Sequence, residues 1–309
     1  MLPIIASRAP RLSRATLVLA VLAALVAALL LPASPASSGA PDPQKDYHQI
    51  PNGCFGPART SPQVPQGCRL TPWAWNRPTV VLWGDSHAWQ NVPALIRAAN
   101  AERVNLTAFV GGKCPPAKLR IRSSYPGLCE QSNALALKYV RKMSQRKQPV
   151  QVILGSNWAG FRQLARQLFV TKTKDPSEFS SFDRRMIRLF HRRTEKLFPA
   201  LRETRARVSA IGQTATCSET TRTAPFYCTL PRRKAILHET RTRQWLNGHT
   251  RYLGAKQHVI EINGPFCGPV RCRGKVDGIY TFWDWGHLSK SRNRRMAFLF
   301  RPVMRSLRR

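Results

Sequence analysis

Thr79-Val80-Val81-Leu82-Trp83-Gly84-Asp85-Ser86-His87 is the stretch on which the reading of this chain turns. Its first five residues form an uncharged, largely apolar run that ends at a glycine. This is the pattern of a strand buried on both faces in a parallel sheet. A helix is expected next, over about residues 87–99. Gly84 allows a sharp turn out of the strand, which puts Ser86 at the start of that helix. There its hydroxyl is exposed and its own N–H points towards developing negative charge. The same tetrapeptide also suits a helix N-cap made by Asp85 or Ser86 with no chemistry attached.

Working outward, the same texture repeats. Residues 104–110 read as a second strand entering the turn Gly111-Gly112. Residues 132–147 carry apolar side chains at helical spacing. Val150-Gln151-Val152-Ile153-Leu154 is a third strand ending at Gly155. Residues 161–180 have mixed texture and read as an insertion over the site, and residues 182–205 read as a helix. A fourth strand is expected over 208–212 and a basic helix, opened by a proline, over 231–253. The fifth strand is expected over 258–262 and a closing helix over 289–303. Strands alternating with helices predict an α/β fold, a flavodoxin-like doubly wound parallel sheet covered on both faces. No linker divides residues 79–309, so they read as one domain. Residues 39–78, rich in Pro, Gly and Ser, read as an irregular N-terminal segment.

In such sheets ligands bind beyond the carboxyl ends of the strands. The motif near the other end of the chain, Asp284-Trp285-Gly286-His287-Leu288-Ser289, supplies what Ser86 lacks. A serine hydroxyl is a weak nucleophile at neutral pH and needs an adjacent base. Histidine suits that task, and a carboxylate holds its tautomer. Alone, Asp-x-x-His also fits a loop Asp capping the last helix beside a surface His.

Taken together, Gly84-Asp85-Ser86 near the start of the α/β region and Asp284-x-x-His287 near its end resemble the SGNH (GDSL-type) hydrolase superfamily. Gly-Asp-Ser-His-Ala with Asp-x-x-His-Leu-Ser is most similar to the SGNH domains associated with bacterial membrane O-acetyltransferases. Cys114-Pro115-Pro116 after a glycine turn, the Cys267/Cys272 pair and a Tyr shortly before the Asp belong to the same likeness, which covers about residues 79–303. The resemblance implies Ser86, Asp284 and His287 as catalytic residues. It also implies an oxyanion hole built from the Ser86 N–H, a glycine after the second strand and an asparagine after the third. Gly111 or Gly112 fits the glycine, with Gly112 preferred. Asn157 fits the asparagine, although Trp158 stands where that family often has an Asp. Trp158, Trp285 and Lys113 flank these blocks and are weaker candidates for substrate contact. No cofactor is implied.

Residues 1–38 read as an export segment. Arg8, Arg11 and Arg14 precede the uncharged run from Leu17 to Leu31, and small residues follow. The run is shorter than the ~20 residues of a bilayer span, which favours a cleaved signal peptide over an N-terminal anchor. The chain is therefore expected in the periplasm or outside the cell, with a membrane tether as the alternative. All eight cysteines follow this segment. An even count in an exported chain points to disulfides. Local loop closure would pair Cys54 with Cys68, Cys114 with Cys129, Cys217 with Cys228 and Cys267 with Cys272. No Cys-x-x-Cys or His-x-x-x-His spacing supports a metal site.

The charge is lopsided, with 50 Lys and Arg against 15 Asp and Glu, a net of +35. Such a surface attracts polyanions, and it also fits an Arg-rich proteome with solvated charge. Export and disulfides exclude nucleic acid as the expected partner. The resulting expectation is a serine-dependent O-acyl, by resemblance O-acetyl, esterase or acyltransferase. Its substrate would be an acylated cell-envelope polysaccharide, acidic by charge complementarity. Transfer rather than hydrolysis would call for a separate membrane acyltransferase partner. The competing expectation is a basic, non-catalytic glycan- or membrane-binding protein on the same scaffold.

Overall fold

Alternation along β1 (Thr79–Gly84) shows why this run is buried on both faces. Val80 and Leu82 enter one apolar cluster, while Val81 and Trp83 enter the other. All six residues are buried. The same division runs through β2 (Asn105–Val110) and β3 (Val150–Gly155), with Leu106 and Ile153 on the first side and Phe109, Val152 and Leu154 on the second. A period of two on a sheet covered on both sides requires this.

The protein is described from a computed structural model. The structure describes Asp42 and residues 45–49, 68–111, 114–118, 124–159, 193–217 and 228–308, with backbone alone over 124–129. All of these lie in one compact unit, Ala40–Arg309. With β4 (Arg207–Ile211) and β5 (Val259–Ile260), the five-stranded sheet has the order β2-β1-β3-β4-β5. Every pairing in it is parallel. This is the flavodoxin-like order, in which the strand order reverses beside β1. Gly84 lies level with Val110 and Gly155, so the carboxyl ends of β1, β2 and β3 form one edge.

Several helices differ from the sequence expectation. The helix expected over 87–99 is two, α1 (Ser86–Trp89) and α2 (Val92–Ala101). The break has a local cause. The side-chain amides of Gln90 and Asn91 both donate to the His87 carbonyl, at 3.2 and 2.8 Å. Pro93 has no N–H to continue an unbroken ladder. The helix expected from 132 starts earlier, as α3 (Ser124–Ser144). The basic helix expected over 231–253 is also divided, into α4 (Arg232–Ala235) and α5 (Glu239–Thr250), with His238 left-handed between them at φ 52°. The closing helix is α6 (Lys290–Arg294), a 3-10 turn at Ala297–Leu299 and α7 (Arg301–Arg305). Pro302 lies in the first turn of α7, where its missing donor costs nothing, and so starts a helix instead of ending one. Of the helix expected over 182–205, residues 193–202 are described and helical. The insertion at 161–180 lies outside the described residues.

α2 and α7 cover one face of the sheet, with α6 packed on α2; α3, residues 193–202 and α5 cover the other. Arg301 Nε and Arg305 Nη2 reach the buried Glu102 carboxylate at 2.8 and 3.1 Å, which pins α7 to the end of α2. Cys217–Cys228 and Cys267–Cys272 are disulfides. Cys68 and Cys114 are also disulfide-bonded. Their expected partners, Cys54 and the Cys129 side chain, lie outside the described residues. Among the described residues no helix is long and apolar enough to cross a membrane. The expected export segment, residues 1–38, lies outside them too.

Candidate active site

The site begins with two glycines. A Cβ on Gly84 would stand 1.7 Å from the Gly155 carbonyl oxygen, and one on Gly155 would stand 2.9 Å from Ala88 Cα. Only hydrogen at both positions lets α1 close onto the ends of β1 and β3. Asp85 is then the N-cap of α1, its Oδ1 accepting from the His87 N–H at 2.8 Å. Its other oxygen, Oδ2, accepts from Ser156 Oγ at 2.6 Å and from the Asn157 N–H at 3.1 Å. Burial pushes the Asp85 carboxyl above its ordinary value, against the pull of those three hydrogen bonds and of His287. The cap and Ser86 are thus neighbours with separate surroundings. Asp85 ties the β3 loop to α1, and Ser86 is left to face outward.

His287 meets Ser86 there. Its Nε2 lies 2.8 Å from Ser86 Oγ, and its Nδ1 lies 2.8 Å from Asp284 Oδ2 and 3.0 Å from Oδ1. The Asp284 carboxylate also shapes the loop that carries it. Oδ1 accepts from the N–H groups of Gly286 and His287 at 2.7 and 2.6 Å. Burial alone would raise this carboxyl. The hydrogen bond and charge of His287, with the two loop N–H groups, hold it below the usual range. An ionised Asp284 accepts the Nδ1 proton, which leaves Nε2 as an acceptor for the Ser86 hydroxyl.

The loop is braced from both sides. The Leu288 N–H donates to Gln90 Oε1 at 2.7 Å. Gln90 Nε2 in turn reaches Thr214 Oγ1, beyond β4, at 3.2 Å. Ser289 caps α6, and Asn293 on that helix accepts from the Ala94 N–H at 2.9 Å and donates to Asn91 Oδ1 at 3.0 Å. Trp283, at the loop's entry, packs against Tyr47 with ring centroids 4.2 Å apart and planes tilted by 31°.

His87 lies beside the pair, its ring 5.0 Å from that of His287. Burial, and then the charge of His287, push its pKa down to about 3. A neutral neighbour adds no repulsion when His287 takes up a proton.

The remaining expected residues divide. Asn157 lies at the same edge, its backbone on Asp85 and its Oδ1 accepting from Gln213 Nε2 at 3.2 Å. The Gly111 N–H donates to the Gly84 carbonyl at 3.1 Å, so the chain leaving β2 starts against the end of β1. Gly112 and Lys113 lie outside the described residues. Trp285 is 44% exposed within the Asp284 to His287 loop. Trp158 does not fit the role considered for it. It is fully buried in the second cluster, with Nε1 donating to the Ile211 carbonyl at 2.7 Å. It is core, not a substrate platform.

Gln90 and Gln213 were not singled out from sequence. Both are buried, at 2% and 4% exposure, and both join loops from different strands. Gln213 had a legible signal: it follows β4, at a strand end where ligands and their supports collect. Gln90 had none, since its role arises from the break after α1. Among the described residues no group of His, Cys, Asp and Glu could hold a metal ion.

Comparison with known proteins adds a family. A family model described as an SGNH domain, fused to AT3 domains, matches residues 53–302. No curated protein sequence matches the chain. Among solved structures the chain is similar to the periplasmic domain of a lipopolysaccharide acetyltransferase from Salmonella ser. Paratyphi A. The two are 14% identical, the match covers 76% of this chain and 85% of that one, and the TM-score is 0.44.

Proposed function

The chain belongs to the family of SGNH domains found fused to AT3 domains, and from that premise we propose that it is an exported acyl-transfer enzyme with Ser86 as its nucleophile. The observation that carries this is the run of contacts from Ser86 Oγ to His287 Nε2 and from His287 Nδ1 to Asp284 Oδ2, each 2.8 Å. A nucleophile, a base and an orienting carboxylate in series have the geometry of acyl transfer.

Ser86 Oγ attacks the acyl carbonyl carbon while its proton passes to His287 Nε2. Asp284, ionised, stabilises the imidazolium through Nδ1. The carbonyl oxygen becomes an oxyanion, which the Ser86 N–H and the Asn157 side-chain NH2 receive, with the β2 glycine turn as a third donor. One such donor contributes about 3 kcal/mol in comparable sites. The tetrahedral intermediate collapses, His287 gives its proton to the departing oxygen of the acyl donor, and the acyl group remains on Ser86. Water or a sugar hydroxyl then attacks the acyl carbon while His287 accepts its proton. As the second intermediate collapses, His287 returns that proton to Ser86 Oγ and the carboxylic acid or acylated sugar leaves.

The substrate in this reading is an O-acetylated envelope polysaccharide. The family's fusion to AT3 domains supports an acyl group supplied by a membrane acyltransferase. The charge of +35 supports an acidic glycan, and the leader-like residues 1–38 support export. The catalytic domain is assigned to residues 79–309.

The test is hydrolysis of p-nitrophenyl acetate by the folded protein, with and without polysaccharide acceptors, beside Ser86→Ala. Turnover, with covalent capture of Ser86 by a fluorophosphonate, is expected for wild type and neither for the variant. Equal turnover by the two proteins would refute the assignment.

A further inference from the structure

An asparagine side chain can offer either end of its amide, and only the NH2 end can donate to an oxyanion. Which end faces a site is decided by what holds the other end. At Asn157 one partner of the Oδ1 end is Gln213, whose Nε2 lies 3.2 Å away.

Two backbone groups fix Gln213 itself. The Ala159 N–H, which can only donate, lies 2.8 Å from Gln213 Oε1. The Thr214 carbonyl, which can only accept, lies 3.1 Å from Gln213 Nε2. The amide of Gln213 therefore has one allowed orientation. Its NH2 has two hydrogens, one for the Thr214 carbonyl and one for Asn157. The Asn157 atom that meets it must be the carbonyl oxygen, which sends the Asn157 NH2 to the opposite side.

The turn carrying Gln213 is rigidly held. Asn263 Nδ2 donates to the Gln213 carbonyl at 2.7 Å, and Asn263 Oδ1 accepts from the Ala215 N–H at 2.9 Å. Asn263 is 1% exposed. The next residue, Thr214, accepts from Gln90, which also holds the Leu288 N–H beside His287. One turn after β4 thus touches the supports of both the oxyanion donor and the general base.

We propose that Gln213 is a positioning residue that polarises the choice at Asn157, forcing its NH2 end towards the acyl oxygen. The proposal rests on the reading of Asn157 as an oxyanion donor. Gln213→Glu reverses the instruction at nearly constant shape. Once ionised, the carboxylate still accepts from the Ala159 N–H. It gives up the bond to the Thr214 carbonyl and offers Asn157 an acceptor, so Asn157 turns its NH2 inward and its carbonyl to the site. The assay is therefore run at alkaline pH, where the carboxyl is ionised.

The experiment is a double-mutant cycle of Gln213→Glu and Asn157→Ala, with kcat and KM on p-nitrophenyl acetate. Each single variant is expected to lose about 10²-fold in kcat at nearly constant KM, the effect of losing one oxyanion donor. The double variant is expected to be no slower than Asn157→Ala, because Gln213 acts only through that side chain. If Asn157→Ala keeps wild-type kcat, the oxyanion reading fails and this proposal with it. If Asn157→Ala is slow but Gln213→Glu keeps wild-type kcat, or if the two losses multiply, the positioning role alone is refuted. Should Gln213→Glu not fold, Gln213→Met replaces it. That variant keeps the chain length, donates nothing, and is read by the same non-additivity.

Discussion

His287 Nε2 stands 2.8 Å from Ser86 Oγ across a sequence separation of 201 residues, and the contact is made at the carboxyl edge of the sheet. Asp284, on the same loop as His287, sets which nitrogen faces the serine. Asp284→Asn would turn an NH2 towards Nδ1 and favour the proton on Nε2, the wrong tautomer for a base. The expected loss is about 10³–10⁴-fold in kcat, as in comparable triads. KM should change little. A smaller loss in the p-nitrophenyl acetate assay, under tenfold at about neutral pH, would detach Asp284 from the mechanism.

The same carboxylate gives a pH signature in stability. Its folded pKa lies below the unfolded value, because His287 and two N–H groups outweigh burial. The sign follows from linkage. Stabilisation is present above the unfolded value, about 3.9, and is lost as pH falls through the lower folded value. The gap in urea midpoint between wild type and Asp284→Asn is therefore expected to shrink as pH drops below about 4. A gap that widens there would contradict the assigned direction.

Gly84 and Gly248 should respond oppositely to alanine. At Gly84 the new Cβ would meet the Gly155 carbonyl at 1.7 Å, and neither backbone can yield without moving the nucleophile turn. Gly84→Ala is expected to destabilise by about 3 kcal/mol or more, the upper end for overpacking. Gly248 lies within α5 with nothing near its Cβ position. Gly248→Ala is expected to stabilise by about 0.5–1 kcal/mol. Urea titration of the two variants decides whether the close approach is real.

Trp158 and Trp285 should separate stability from substrate contact. Trp158→Ala empties a fully buried site and orphans the Ile211 carbonyl. A loss of about 3–5 kcal/mol is expected. Trp285, 44% exposed within the Asp284 to His287 loop, should change KM for a glycan substrate and leave the unfolding midpoint nearly fixed when replaced by Ala. The reverse pattern would exchange their assignments.

Much of the fold was legible because a parallel strand buried on both faces leaves a largely apolar run: β1 left a nearly unbroken one, and β2, β3 and β4 left runs broken by one or two polar residues each. Helix continuity was less legible. Apolar spacing at 87–99 does not report that Gln90 and Asn91 turn their amides onto the His87 carbonyl. Nor does spacing report that His238 is left-handed or that Pro302 begins a helix. The first break is decided by side chains competing for a single backbone group, with partners chosen by packing; the other two carry no side-chain cap.

By itself the sequence determined the presence and order of the candidate groups: a hydroxyl after a Gly-Asp turn, and a carboxylate three residues before an imidazole. It also determined the strand pattern that brings such residues to one edge. Only the tertiary structure decided the fate of groups with two plausible ends. Trp158 went to the core because its indole N–H found the Ile211 carbonyl. Gln90 and Gln213 became braces because the loops they join come from different strands. An amide's orientation is a property of its neighbours, and those neighbours exist only once the sheet has closed.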